Sequence, residues 1–378
     1  MRQLRVAFLD QVGVAPGGAE QTLATFLEHV PAGIAPNVVL FEDGPFADRL
    51  RGLGLPVDII PIPGAIGGST RERMRIGGAL RIPAVAVKVA RVLRARRAEL
   101  LYTNSMKAHL IGALAARLAG VRCVMHFHDV VDGAARTALR SAARLGSRER
   151  IACSRLVSER IGLAPTRVIY APLELAAYDA LPDRAAARAA LQLPDDGLPV
   201  VTIVGRINRW KGHDRFLRIA ARVNAEIPAR FVIVGAPIFR DADFLPELQA
   251  RAAEPPLQGR VSFVPWLDDV RVAYAATDVN CNCSTQEPFG RTVVEAAAAG
   301  VPTVCFDDSG AAETVIDGVT GRAVRAGDEA AFASAILDYL RDPAVLLEAR
   351  KAARGAAARF DAGRIADEMA HVILRAAA

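Results

Sequence analysis

Two glutamates with seven residues between them are the most informative feature of this sequence. Glu287 precedes a Pro-Phe-Gly turn, and Glu295 lies about one and a half turns into the helix predicted after that turn, in the segment EPFGRTVVE. The N-terminal amides of a helix attract anions such as phosphate, whereas a carboxylate accepts hydrogen bonds from hydroxyl groups. This segment therefore has the chemistry to bind a sugar at one side and a nucleotide diphosphate at the other.

A second group of candidate residues follows a predicted buried strand that ends at Val204. Gly205 lets a ligand approach the backbone closely, and Arg206 can bind a phosphate through two parallel hydrogen bonds. Lys211, next to Gly212, adds a point charge on a flexible stem. Because open parallel sheets bind ligands at the carboxyl ends of their strands, these residues could neutralise a leaving diphosphate without a metal. The alternative is a surface loop with solvated cations.

A glycine pair, Gly17 and Gly18, lies between the first predicted strand and the first predicted helix. Such a pair can cradle a phosphate or a sugar at a helix N-terminus. Together with Gly13 it does not form the GxGxxG dinucleotide motif, and the Gly-Lys-Ser/Thr of a P-loop is missing. The alternative is a tight turn that caps the helix.

Two histidines, His126 and His128, close a predicted strand in the first half of the chain. They are expected to point to opposite sides of the strand, so that only one of them faces a cleft. We favour His128 for that position over a structural role. Asn104 and Ser105, at the end of another predicted strand, either reach the same cleft or cap a helix.

The sequence predicts neither a metal site nor a hydrolytic pair of carboxylates. Cys281 and Cys283 lack further ligands at the spacing that a metal requires, and they are expected to be buried thiols. The Asp-Ala-Asp at 241–243 lies in a polar loop, and we take its likeness to a metal-binding DxD as coincidental. Eight helical residues would separate Glu287 from Glu295 by about 12 Å, more than the roughly 5–9.5 Å between glycosidase carboxylates. Both glutamates are therefore expected to bind hydroxyl groups.

Short apolar runs that alternate with helical patterns predict an α/β protein with parallel sheets. One βα series occupies each half of the 378 residues, and the 52% hydrophobic content supports two large cores. The stretch 171–196 contains three prolines and no strand pattern, which predicts the hinge between two domains. The predicted strands are 4–9, 37–41, 57–60, 100–103, 123–126 and 151–153, then 199–204, 230–234, 261–263, 279–281, 303–306 and 321–324.

The charge is distributed unevenly along the chain. Residues 1–172 carry 24 Lys and Arg against 13 Asp and Glu, a net charge of +11, whereas the remainder has a net charge of −5. Nine basic residues and one acidic residue lie between Arg71 and Arg97, and some recur at helical spacing. This segment is expected to bind an anionic membrane surface reversibly, or to be a solvated helix face.

The expected compartment is the cytoplasm, with peripheral attachment at the inner face of the membrane if the basic segment binds lipid. The first apolar run ends at Asp10, unlike a secretion signal, and no uncharged apolar stretch of about 18 residues is present. Five cysteines, an odd number, indicate reduced thiols. The basic segment lacks interleaved aromatic residues, so no nucleic-acid partner is expected.

The motifs of the second half resemble the donor site of the retaining family 4 glycosyltransferases, the group 1 glycosyl transferases with the GT-B fold. Weaker matches to the same family are present in the first half. The segments that carry the resemblance are Gly205-Arg206, Lys211-Gly212, 287–302 and 310–313 in the second half, and 17–20, 102–105 and 128–129 in the first.

The resemblance implies a two-domain architecture. Two Rossmann-like domains with parallel sheets would face each other across a cleft. The acceptor-side domain would comprise residues 1–172 and the nucleotide-sugar donor domain residues 173–360. A terminal helix at 361–378 would pack back on the first domain.

The resemblance also implies a role for each matching residue. Arg206 and Lys211 would hold the donor diphosphate, and Glu295 would bind the ribose hydroxyls. Glu287 and His128 would act at the transferred sugar and are the catalytic candidates. The remaining donor-site residues would be Gly17, Gly18, Phe289 and Gly290, with Thr292 and Val293 contributing backbone amides.

The reaction that the resemblance implies is transfer of a hexose from a UDP- or GDP-sugar with retention of anomeric configuration. No metal and no cofactor besides this co-substrate are expected, because cationic side chains and helix amides can stabilise the departing diphosphate. The absence of an obvious carboxylate nucleophile favours attack by the acceptor on the same face.

The acceptor is left open as a glycan, a lipid-linked or a small molecule, and the expected role is synthesis of cell-envelope polysaccharide or glycoconjugates. The acceptor is left open because the sequence departs from the family at two places. Ala171-Pro-Leu-Glu-Leu175 replaces the family's Asn-Gly-Val-Asp, and residues 61–70 show no assignable pattern.

Three other functions are compatible with parts of the sequence. The same architecture hosts sugar-nucleotide epimerases, and the basic segment allows a non-enzymatic protein that binds nucleic acid. A nucleotide-sugar sensor without turnover is the third. The nucleic-acid alternative leaves the EPFGRTVVE segment unexplained.

Overall fold

The computed structural model describes residues 2–11, 17–62, 81–237 and 243–378. The chain divides into two compact units. The first unit contains residues 1–172 and 362–378, and the second contains residues 173–361. Each unit has its own parallel sheet and its own hydrophobic core, so the prediction of an α/β protein with parallel sheets is confirmed.

The sheet of the first unit has seven strands in the order β3-β2-β1-β4-β5-β6-β7, and every neighbouring pair is parallel. Its central strands are buried on both faces, which explains their nearly continuous apolar runs. The strands are β1 Leu4–Asp10, β2 Ile34–Leu40, β3 Val57–Ile59, β4 Leu100–Thr103, β5 Arg122–Phe127, β6 Glu149–Ala152 and β7 Arg167–Val168.

Helices cover this sheet, and one of them comes from the end of the chain. The C-terminal helix Ala362–Ala377 buries Ile365, Met369 and Ile373, four residues apart, in the same core as β1 and β4. The other helices described in this unit are α1 Gly18–Glu28, α2 Pro45–Gly52, α3 Ile82–Ala95, α4 Met106–Ala119, α5 Gly133–Gly146 and α6 Arg155–Ile161.

The sheet of the second unit has six strands in the order β10-β9-β8-β11-β12-β13, again all parallel. The strands are β8 Val200–Val204, β9 Arg230–Val234, β10 Val261–Val264, β11 Val279–Asn282, β12 Thr303–Phe306 and β13 Gly321–Val324. The described helices are α7 Arg184–Ala190, α8 His213–Glu226, α9 Phe244–Ala252, α10 Arg271–Ala276, α11 Arg291–Ala298, α12 Glu329–Arg341 and α13 Pro343–Ala357.

The segment predicted as the hinge contains a helix that was not predicted from the sequence, α7. The carboxylate of Asp183 caps α7 by accepting hydrogen bonds from the amides of Ala185 and Ala186. Ala187 and Leu191 then pack in a core cluster of the second unit. Residues 184–193 are therefore part of that unit, because their apolar side chains are needed to cover its sheet.

All five cysteines are buried thiols, and none of them is in a disulfide. Burial raises the pKa of the Cys123 and Cys305 thiols to about 12, which keeps them protonated at neutral pH. Cys281 lies in β11 and Cys283 directly after it, and burial raises their thiol pKa values as well. The prediction that these two are buried thiols is confirmed.

Candidate functional site

Each sheet reverses its strand order at one point, and the candidate residues follow the strands that meet there. In the second unit the chain runs from β8 outward to β10 and then returns to β11 on the other side of β8. Helices that leave neighbouring strands on opposite faces open a crevice at such a switch point. Gly205 and Arg206 follow β8, and the loop that leads to Glu287 follows β11.

The backbone at Gly205 leaves room above the end of β8. Its φ of +152° is a conformation that residues with a side chain rarely adopt. A Cβ atom added to Gly205 would meet no atom within 4 Å. The next residue, Arg206, is half-buried, and no hydrogen bond or ion pair joins it to any residue that the structure describes. The open space at Gly205 and the Arg206 guanidinium therefore both lie at the carboxyl end of β8.

Lys211 and Glu287 form a largely buried ion pair. The Nζ atom of Lys211 lies 2.7 Å from Oε2 of Glu287, and their side chains are only 17% and 8% exposed. The Lys211 ammonium also lies 4.3 Å from the centre of the Trp210 ring, a favourable position for a cation. An ammonium group has three hydrogens to donate, so Lys211 can bind Glu287 and an anion at once.

The turn that carries Glu287 is fixed by close backbone contacts. The amide of Gly310 donates to the carbonyl of Glu287 at 2.7 Å. Gln286, just before it, adopts an unusual positive φ of +52°. Gly290 has a φ of +84°, and a Cβ atom there would lie 2.7 Å from Cβ of Ala311. The 310–313 segment therefore packs against the turn. A side chain at position 290 would collide with Ala311, so this position requires glycine.

Glu295 lies on α11 and is already held by its own helix. Its Oε1 accepts a hydrogen bond from Nε of Arg291 at 3.0 Å, and its Oε2 lies 3.5 Å from the hydroxyl of Tyr274. Burial raises the pKa of the Glu295 carboxyl, an effect that the Arg291 charge opposes. The Tyr274 hydroxyl also donates to the carbonyl of Thr292 at 2.9 Å. These contacts hold one carboxylate oxygen and leave Oε2 weakly bonded.

One expectation about this segment is wrong, and two residues of the predicted donor site, Val293 and Phe289, have internal contacts, while their predicted roles remain predictions. Helix α11 begins only at Arg291, so the 12 Å estimate for eight helical residues does not apply to Glu287 and Glu295. The amide of Val293 donates to the carbonyl of Gly290 at 2.9 Å, and in this structure it is not offered to an outside ligand. The Phe289 ring is buried 6.0 Å from that of Phe360, so its side chain packs in the interior.

In the first unit, the glycine pair lies at the start of α1. Gly17 is the N-cap residue and Gly18 the first residue of the helix, while Gly13 lies outside the described residues. A Cβ atom at Gly17 would come within 2.8 Å of Oε2 of Glu20, whereas one at Gly18 would meet nothing within 4 Å. The pair thus lies at a helix N-terminus, a position that suits both predicted roles, capping of the helix and binding of a phosphate or a sugar.

His128 follows β5 and packs against His126, with ring centres 3.9 Å apart and ring planes tilted by 41°. The expectation that these two residues point to opposite sides is wrong, because side chains two apart on a strand share a face. His128 is half-buried, and burial lowers the pKa of its imidazole to about 4. Its Nε2 lies 2.9 Å from Oδ1 of Asn104. His128 is therefore neutral at pH 7.

Three residues that the structure brings to these sites, Tyr274, Arg291 and Asp10, were not predicted from the sequence, whereas Asn104 was. Tyr274 gave no sequence signal, but Arg291 lies four residues before Glu295, a spacing at which opposite charges pair on a helix. Asp10 ends β1 and Asn104 follows β4, the two strands at the switch point of the first sheet. Burial, with a contribution from Glu20, raises the pKa of the Asp10 carboxyl to about 8.

No group of three or more potential metal ligands comes together in the part of the chain that the structure describes. Asp241 of the Asp-Ala-Asp segment lies outside that part, and Asp243 precedes α9. Within the same described ranges, no helix is both long enough and apolar enough to cross a bilayer.

Two family models match this chain. The model for glycosyl transferases group 1 matches residues 183–359, and the model for the glycosyl transferase 4-like domain matches residues 17–174. The two matches correspond to the second and the first unit, so together they span most of the sequence.

Curated relatives match part of the chain. A D-inositol 3-phosphate glycosyltransferase of Nocardia farcinica is 39% identical over 168 residues, which are 42% of this chain and 36% of the relative. One of Rhodococcus erythropolis is 34% identical over 234 residues, 59% of this chain and 52% of the relative. The matched part thus spans about half or less of the length of these relatives.

Solved structures match over nearly the whole chain. The crystal structure of Anabaena HepE in complex with UDP has a TM-score of 0.85 and 26% identity, with 98% of this chain and 100% of HepE covered. HepE in complex with UDP-glucose has a TM-score of 0.82 and 26% identity, with coverage of 99% and 100%. These matches, the two family models and the two parallel sheets identify the fold as GT-B, and the chain belongs to the group 1 glycosyl transferases.

Proposed function

We propose that the protein transfers a hexose from a UDP-sugar to an acceptor, with retention of anomeric configuration and without a metal ion. The observation that carries this proposal is the buried Lys211–Glu287 pair at the switch point of the second sheet, with Arg206 at the end of β8. HepE, which matches over its whole length, is crystallised with UDP and with UDP-glucose. This likeness supports UDP over GDP as the nucleotide.

The positive charges of Arg206 and Lys211, at the switch point of the second sheet, are suited to bind the diphosphate that leaves the sugar. Arg206 supplies a planar fork for two phosphate oxygens, and Lys211 supplies an ammonium whose remaining hydrogens can reach another. Preorganised cations stabilise the charge that develops on the leaving group without reorganisation during the reaction. Glu287, held by Lys211, is positioned to accept a hydrogen bond from a hydroxyl of the transferred sugar.

Membership in a transferase family favours sugar transfer over the epimerase and nucleic-acid-binding alternatives. For the acceptor, we infer an anionic molecule, either soluble or at a membrane surface, because the first unit carries the excess of basic residues. The named activity of the curated relatives, toward D-inositol 3-phosphate, agrees with a phosphorylated acceptor. A role in cell-envelope polysaccharide or glycoconjugate synthesis follows as a proposal from the same reasoning.

The donor is tested by thermal unfolding of the protein with UDP-, GDP- and ADP-glucose. We expect UDP-glucose to raise the midpoint temperature in a concentration-dependent way, because a ligand that binds only the folded state stabilises it. NMR of the product formed with inositol phosphates as trial acceptors then reports its anomeric configuration. A β-linked product from the α-linked donor would contradict retention, and stabilisation by GDP-glucose alone would contradict the choice of UDP.

We further propose that helix α3 attaches the protein to an anionic membrane. Its buried face packs on the first unit, whereas Lys88 and Arg91 are exposed and Val87 is 40% exposed beside them. Arg96, by contrast, is paired with Asp58 at 2.8 Å. The basic residues at 71–75 lie outside the described residues. The alternative is a solvated helix face.

Co-sedimentation with vesicles distinguishes membrane attachment by α3 from a solvated helix face. We expect binding to vesicles that contain phosphatidylglycerol, but not to pure phosphatidylcholine, and we expect it to fade with salt. The double variant K88E/R91E should bind about 30-fold or more weakly, since each cation near an anionic leaflet contributes about 1 kcal/mol. R251E/R325E, with the same charge change at exposed residues of the second unit, is the matched control. Equal loss in both variants, or no binding at low salt, would contradict the proposal.

A further inference from the structure

Three polar side chains form a hydrogen-bonded row at the switch point of the first sheet. Asp10 ends β1, Asn104 follows β4 and His128 follows β5, and these three strands are neighbours. Nδ2 of Asn104 lies 2.7 Å from Oδ2 of Asp10, and Oδ1 of Asn104 lies 2.9 Å from Nε2 of His128. Asn104 is 1% exposed and Asp10 is fully buried, so solvent does not compete for the hydrogen bond between these two side chains.

The surroundings of Asn104 determine which way its amide points. Nδ2 has two acceptors, Oδ2 of Asp10 at 2.7 Å and the carbonyl of Ala19 at 3.0 Å. With the amide reversed, its oxygen would face the carbonyl oxygen of Ala19, which cannot donate, so this hydrogen bond would be lost whatever the protonation state of Asp10. Oδ1 therefore faces His128, and because it can only accept, Nε2 of His128 must carry the hydrogen.

The remaining ring nitrogen of His128 is then an acceptor. Nδ1 of His128 makes no hydrogen bond to any residue that the structure describes. The ring is further held by a tilted contact with the ring of His126, whose Nδ1 lies 2.6 Å from the hydroxyl of Tyr102. A neutral imidazole with a lone pair on Nδ1 attracts a hydroxyl group and repels a phosphate oxygen. The chemistry of this position thus selects a hydroxyl donor.

We propose that Asn104, anchored by Asp10, is a positioning residue that locks His128 in the Nε2–H tautomer, so that Nδ1 accepts a hydrogen bond from a hydroxyl of the sugar. The sugar as ligand rests on the proposed function, whereas the tautomer does not. The role of His128 is to orient a hydroxyl, and it does not deliver a proton to the leaving group.

The tautomer is measured by NMR of the protein labelled with ¹⁵N-histidine, with His128 assigned by comparison with H128Q. We expect Nδ1 to be unprotonated at pH 7 and the Nε2–H proton to exchange slowly with water. In N104A this proton should exchange rapidly. The signal of His109, which is bonded to Thr103 at 2.7 Å instead, should stay unchanged in N104A and serves as the internal control.

A proton on Nδ1 of His128 in the wild-type protein would overturn the proposal, and this measurement does not depend on whether N104A folds. An Nε2–H signal unchanged in a folded N104A would overturn it as well. In sugar transfer, N104A should lower kcat by about 10-fold to 100-fold while the Kd of UDP is unchanged. Absence of any transfer by the wild-type protein would count against the proposed function and leave the tautomer result standing.

Discussion

Replacing Glu287 by Gln is expected to lower kcat by about 100-fold or more, with little change in the affinity for free UDP. A contact that positions the transferred sugar acts on the transition state and therefore appears in kcat. The substitution keeps the size of the side chain but removes the charge that pairs with Lys211 at 2.7 Å. Steady-state kinetics with UDP-glucose, together with calorimetric titration of UDP, measure the two quantities separately.

Glu295 provides the comparison for this prediction. Glu295→Gln is expected to raise the KM for the donor by about 10-fold to 100-fold, since a hydrogen bond to a charged group contributes about 1.5–3 kcal/mol, and to leave kcat nearly unchanged. E247Q, at an exposed residue paired with Arg209, controls for the loss of a carboxylate in the same unit. Identical kinetic profiles for E287Q and E295Q would contradict the separate roles of the two glutamates.

Arg206→Ala should weaken binding of UDP-glucose by about 2–3 kcal/mol, because it removes charge-assisted hydrogen bonds to the diphosphate. Calorimetric titration measures this change. Arg209→Ala is the matched control, since Arg209 lies three residues away, is exposed and is paired with Glu247 at 2.6 Å. An equal effect of both substitutions would indicate general electrostatic attraction in place of a specific contact.

Lys211→Ala should weaken binding by a similar amount but must be measured together with Glu287, because it leaves a buried carboxylate without its partner. A double-mutant cycle of K211A and E287Q separates the loss of the ion pair from the loss of the phosphate contact. Activity of the wild-type protein is expected to persist in EDTA. If EDTA abolishes transfer and added Mn²⁺ restores it, the proposal of a metal-free reaction is wrong.

The sequence by itself determined the fold class and most strand positions. Four strands, at 100–103, 230–234, 303–306 and 321–324, are found at the predicted residues. Parallel strands buried on both faces must be nearly continuous apolar runs, and such runs are visible in a single sequence. The helices at Arg184–Ala190 and Gly133–Gly146 were not predicted, although Gly133–Gly146 is amphipathic and buries Leu139, Ala142 and Ala143 on one face.

The turn between Glu287 and α11 could also be predicted from neighbouring residues alone. Pro-Phe-Gly interrupts regular structure, and glycine at position 290 allows the positive φ that the turn has. The pairing of Arg291 with Glu295 was equally local, at a spacing of four residues, and was overlooked. Strand alternation places residues two apart, such as His126 and His128, on one side, and their rings do share one side. Both the pairing and the shared side of the two histidines are information that the sequence contained.

Only the tertiary structure decided which side chains meet. Lys211 contacts Glu287 across 76 residues of sequence, and Asn104 contacts Asp10 across 94. Both contacts arise because parallel sheets bring the carboxyl ends of neighbouring strands to one edge, whatever their separation along the chain. Local periodicity reveals where a strand ends but not which strand lies beside it, so the partners of these polar residues are fixed by strand order alone.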